Sequence, residues 1–122
     1  MSSKRAPRES LEDRWLLEAQ TARNLEAMAH EQAGDIEAAI GLYERNVEEG
    51  FAGDLPYGRL VAIYERRGAL AEAERVLLRA IDVFESSRRR TAADRRATIR
   101  VFKNRLGAIR KRLREEGSAA PE

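Results

Sequence analysis

The sequence predicts an all-α fold: an array of about five antiparallel helices, paired as hairpins and closed by a long basic C-terminal capping helix. Three observations carry this. Apolar residues recur at steps of three and four through five successive segments. Only three Pro occur, at positions 7, 56 and 121, so helix interiors are largely unbroken. Gly34 and Gly68 punctuate the pattern 34 residues apart, with similar side-chain types around each.

Residues 1–9 read as a disordered tail, small, basic and interrupted by Pro7. Ser10 with Asp13 resembles a capping box and opens a helix from about Leu11 to Ala33. Its stripe of Leu11, Trp15, Ala19, Ala22, Ala29 and Ala33 is the expected packing face, widened by Leu25 and Met28. Trp15 is read as a core filler, with an interface anchor as the alternative. Gly34 stops the helix. A second helix covers about Asp35 to Glu49, with Ile36, Ile40, Tyr43 and Val47 on one face. Gly50 and Gly53 bracket Phe51 in a loop. Asp54 or Leu55 caps the third helix, Pro56 sits in its first turn, and Tyr57, Leu60, Val61 and Tyr64 share a face.

The fourth helix, about Leu70 to Glu85, carries Leu70, Ala73, Leu77, Ala80, Ile81 and Phe84, with Val76 and Val83 as a second edge. It is therefore expected to be the most buried. Ser86 to Arg90 forms a polar connection. Thr91 with Asp94 opens the last helix, which runs to about Glu116 before a tail at 117–122. Ile99, Phe102, Leu106, Ile109 and Leu113 step by 3, 4, 3 and 4, a heptad-like seam. That seam is expected to cap the fourth helix; self-association is the alternative.

At 122 residues with 43% apolar content, the chain makes one domain, expected at 10–116, with a modest core. There is no Cys, so disulfides and thiolate metal sites are excluded. No apolar run follows the basic N-terminus and no window approaches a membrane span. A cytoplasmic address is the expectation. The net charge of +2 hides an asymmetry. Residues 1–54 hold six Lys/Arg against twelve Asp/Glu, a balance of −6. Residues 55–122 hold 17 against nine, a balance of +8. Within 86–114 there are twelve bases and one acid, Asp94. Such polarity points to acidic partners or to solvated faces.

Aligned at an offset of 34, residues 23–50 and 57–84 share four identities in 28: Glu31/Glu65, Gly34/Gly68, Ala39/Ala73 and Arg45/Arg79. Matched types extend further, to Ile36/Leu70, Leu42/Val76, Tyr43/Leu77 and Val47/Ile81. Two helices, a Gly turn and this period match one repeat class. Here the chain resembles the tetratricopeptide repeat family over roughly 20–85. Tyr57, Leu60, Val61 and Tyr64 stand where the family has Trp, Leu, Gly and Tyr. Ala73, Leu77 and Ala80 stand at its small, aromatic and small positions. The repeats fall at about 20–53 and 54–87. The first is degenerate: Arg23 and Glu26 replace the aromatic and the Leu, Asn46 the second small residue, and Phe51 the closing Pro.

The resemblance implies a non-catalytic adaptor that receives a peptide or partner helix in a concave groove. The matching groove positions are Asn24, Met28, Glu31, Gly58, Ala62, Glu65 and Arg66. The family's Lys/Asn clamp for a C-terminal carboxylate is not reproduced, since only Asn24 fits. No catalytic, metal-ligating or phosphate-binding constellation is legible, and no cofactor is expected. His30, the only His, aligns with Tyr64 and is read as a packing residue. The alternative function is nucleic-acid binding through the Arg-rich end: Arg88, Arg89, Arg90, Arg95, Arg96, Arg100 and Lys103. Phe102 is its one aromatic and lies on the apolar seam, which leaves no stacking platform. A homodimer is a further possibility, the acidic first half meeting the basic end of another copy.

Overall fold

The computed structural model describes residues 10–87 and 91–118. Five helices follow one another: α1 (Leu11–Ala33), α2 (Ile36–Glu48), α3 (Leu55–Arg66), α4 (Leu70–Ser86) and α5 (Ala92–Ser118). The fold is thus an all-α array, and no described residue lies in a strand. Each helix packs on the next, so α1 and α5 form the two ends. No helix among the described residues is long and apolar enough to cross a membrane. The tail at 1–9, the basic triplet Arg88–Arg90 and residues 119–122 lie outside the described residues. α5 runs to Ser118, past the expected end at 116.

The 34-residue period is a repeat of backbone geometry. Gly34 and Gly68 both take a left-handed conformation, at φ 85° and 72°. The Gly34 N–H donates to the Glu31 carbonyl at 3.1 Å and the Asp35 N–H to His30 at 2.8 Å. The same two bonds recur 34 residues later, Gly68 to Glu65 at 3.0 Å and Ala69 to Tyr64 at 2.8 Å. This pattern satisfies the last carbonyls of a helix while reversing the chain, and it strains any residue with a Cβ. Five residues on, Ala39 and Ala73 are completely buried where each hairpin's helices cross. A larger side chain there would push the helices apart.

The capping reading holds at two helices. Ser10 and Asp13 form a reciprocal capping box on α1, and the Asp94 N–H donates to the Thr91 hydroxyl ahead of α5. At α3 it fails: Asp54 occupies the cap position but its side chain bonds no backbone N–H there.

One core joins all five helices. It is richest on α4, where Leu70, Ala73, Val76, Leu77, Ala80, Ile81 and Phe84 are all buried. Tyr57, Phe84 and Phe102 bring α3, α4 and α5 together, their ring centroids 5.6 to 6.2 Å apart. Phe102, Leu106 and Ile109 are buried as α5 packs on α4, the capping role expected of that seam.

The first helix contradicts its sequence reading. Leu11, Trp15, Ala19, Ala22, Ala29 and Ala33, the expected packing stripe, are all exposed. Trp15 is 62% exposed, so it is not a core residue. The inward side of α1 holds Gln20, Asn24 and Ala27 instead. The repeat register decides this. Ala27 must occupy in the first hairpin the buried place of Val61 in the second, 34 residues on. His30, read as a packing residue, is half-buried: its side chain is a third exposed, beside Glu26 at 3.8 Å and Asp35 at 3.6 Å.

Two stability contrasts test this geometry. Ala73→Leu should cost about 1–3 kcal/mol by overpacking the crossing, whereas exposed Ala71→Leu should be near neutral in urea melts. Gly68→Ala should cost about 1–2 kcal/mol, because its φ is positive. Gly107→Ala, in open space on α5, should stabilise by about 0.5–1 kcal/mol.

Candidate binding surface

The resemblance would line a groove with α1 and α3, the first helices of the two repeats, and α5 is the helix that follows the second repeat. The side chains between them fall into two kinds: those bonded to a neighbouring helix and those left open.

Glu31 and Glu65, the identical pair of the repeat, are bonded. Glu31 on α1 accepts from the Arg59 guanidinium of α3 at 2.5 and 2.9 Å, and from the Tyr43 hydroxyl of α2 at 2.8 Å. Glu65 on α3 pairs with Arg105 at 3.4 Å and Arg112 at 3.6 Å, both on α5. Each carboxylate therefore ties its helix to the next one but one. A third acid, Glu44 on α2, accepts from the Tyr64 hydroxyl of α3 and from Arg75 of α4. The Arg59 hydrogen bond holds the Glu31 carboxyl below its ordinary 4.5, against the opposing effect of burial. Burial, with Glu31 as acceptor, pushes the Tyr43 hydroxyl up.

Asn24 corrects the groove reading. It is buried and turned to α2, where the Asn46 amide donates to its side-chain oxygen at 2.8 Å. The same Asn46 amide donates to the Gln20 carbonyl at 2.8 Å, and Arg23 donates to the Asn46 oxygen at 2.7 Å. Two of the four degenerate positions of the first hairpin thus meet each other. Arg23 stands where the second hairpin has Tyr57, Asn46 where it has Ala80, and a polar pair replaces an aromatic residue with a small one.

Of the remaining groove positions, Met28 is half-buried against the core, Ala62 is half-buried, and Arg66 is exposed. Gly58 lines an open notch between α3 and α5 of about 240 Å³. Ala97, Val101 and Phe102 give it an apolar wall, and Asp54 and Arg105 stand at its rim. Val101 is 56% exposed there. The sequence reading missed Val101 and Ala97, since both lie off the α5 seam. Arg59 and Arg105 could have been suspected from the Glu31/Glu65 identity, which asks for a basic partner on a neighbouring helix.

In the basic set, Arg96, Arg100 and Lys103 are exposed and Arg95 is half-buried. Arg105, Arg110 and Arg112 reach back to carboxylates of α3 and α4. No group of three or more His, Asp or Glu side chains that could hold a metal gathers among the described residues. Set against protein families, curated proteins and solved structures, the chain has no significant match.

The lowered Glu31 carboxyl gives a pH signature. Its folded value lies below its unfolded one, so the bond to Arg59 contributes stability above pH 4.5. That contribution is lost as the pH falls through the lowered folded value. Glu49, held down by its hydrogen bond from Arg23, adds an effect of the same sign. Glu31→Gln should therefore cost roughly 1 kcal/mol at pH 7 and flatten the acid limb of the stability curve. An unchanged acid limb in urea titrations at pH 3 to 7 would remove the ion pair from the account.

Proposed function

We propose that this chain is a non-catalytic protein-binding module, built like a tetratricopeptide pair, that receives a peptide or short helix across α3 and α5. The observation that carries this reading is the notch beside Gly58. It offers an apolar wall of Ala97, Val101 and Phe102 with one acid, Asp54, and one base, Arg105, at its rim. Such a site suits an apolar anchor side chain on a backbone whose flanks are polar. A Cβ built on Gly58 would lie 3.7 Å from the Arg105 guanidinium, an ordinary contact. Glycine here is therefore not demanded by the packing of α3 on α5, and it keeps the notch open.

The other reading, nucleic acid on α5, has the exposed Arg96, Arg100 and Lys103 in its favour. Base stacking has no support, because Phe102 is buried against Tyr57 and Phe84.

Peptides selected from a random library on the full chain provide the test. Val101→Glu and Gly58→Leu should each weaken a selected peptide about tenfold or more, with unchanged circular dichroism and melting. Failure to select any peptide, or peptides indifferent to both variants, would overturn the groove reading. RNA or DNA binding that falls steeply with salt, and is lost in Arg96→Glu/Arg100→Glu, would put the basic helix in its place.

A further inference from the structure

The two ends of the array are complementary. α1 presents its large apolar side chains away from its neighbours: Leu11, Trp15 and Leu25 are 61%, 62% and 63% exposed. Ala22 and Ala29 complete that outer face; Glu18 and Glu26 are set among them, with exposed Arg14 at the edge, one turn from Leu11 and Glu18. This helix is inside out. Its inner side offers Gln20 and Asn24 to α2, and Ala27 is its one buried apolar residue. Bulky apolar residues gathered on the outer side of a terminal helix mark a contact surface.

α5 is the converse. Its outer side carries small residues, Ala93, Ala97, Asn104, Gly107 and Ala108, all exposed, with the long Arg100 among them. Beside them stand Arg96, Arg100 and Lys103, which form no ion pair with any described residue. Arg105, Arg110 and Arg112 of the same helix reach back to Glu65 and Glu74.

We propose that the outer face of α1 docks on the outer face of α5 of a second copy, joining chains head to tail. Bulky side chains on one helix meet small ones on the other, which permits the close axial approach of packed helices. Glu18 and Glu26 meet Arg96, Arg100 and Lys103, so the charges match at the same seam. The helices are 23 and 27 residues long, and so offer an extended contact. The contact joins unlike surfaces at opposite ends, so a joined pair retains one free α1 face and one free α5 face for further growth. A copy paired by α1 against α1 would instead set Glu18 and Glu26 against themselves.

Trp15 is the only Trp, so its emission reports the seam directly. In the full chain, sedimentation velocity should show mass rising with concentration while Trp15 emission moves to the blue. Glu18→Lys/Glu26→Lys and Arg100→Glu/Lys103→Glu should each be monomeric, folded by circular dichroism, with unshifted emission. Mixed one to one, they should associate again, since each reversed face then meets its complement. Trp15→Ser should weaken wild-type association about tenfold or more. A wild-type chain that stays monomeric with solvent-exposed emission overturns the proposal. So does association that survives both reversals, or a mixture that fails to recover it.

Discussion

A left-handed glycine followed five residues later by a buried alanine sets the geometry of this array. At Gly34 and Gly68 the positive φ lets the chain reverse within two and three residues and still cap the preceding helix. Ala39 and Ala73 then allow the returning helix to lie close. Gly50 uses the same device between the hairpins: at φ 72° its N–H donates to Val47 and that of Phe51 to Asn46. One local solution, used three times, thus positions four of the five helices.

The two hairpins share this backbone but are held by different forces. The second sets Tyr57 edge to face against Phe84 and against Phe102 of α5, and holds most of the core. The first joins α1 to α2 through Arg23, Asn24, Asn46 and Glu49. Every buried side-chain polar atom among the described residues has a hydrogen-bond partner, so this polar seam carries no desolvation penalty left unmet. Its net contribution per bond is still only about 1 kcal/mol, less than the burial of a large apolar side chain. The α1 edge is therefore the part of the array that opens first, and α4 the part that opens last.

That difference also explains which parts of the fold were legible in the sequence. Glycine turns, alanine crossings, capping boxes and the α5 seam are local patterns, and the structure keeps them. Periodicity finds the apolar side of a helix but not the direction in which it points. α1 has an apolar stripe through Trp15 and Ala22 and a polar one through Gln20 and Asn24, and the polar one faces the array. The repeat register could have decided between them, since it matches Ala27 with buried Val61. The notch beside Gly58 was half legible. Gly58 was placed by the resemblance, whereas Val101 and Ala97 depend on the rotation of α5 about its own axis, which no local pattern fixes.

The charge asymmetry has a structural component and a remainder. Across the array, arginines of later helices reach back to carboxylates of earlier ones: Arg59 to Glu31, Arg67 to Glu37, Arg105 to Glu65 and Arg110 to Glu74. Arg23, which reaches forward to Glu49, is the exception. A chain tied in this direction accumulates acid early and base late without any partner being involved. Among the charges that the rule leaves over are Glu18 and Glu26 on α1 and Arg96, Arg100 and Lys103 on α5, which lie on the outer side of each end and tie no helix to another. Those residues share their faces with exposed Trp15 at one end and with a run of small side chains at the other. Charge and shape thus converge on the same two surfaces, the ones that no neighbouring helix covers.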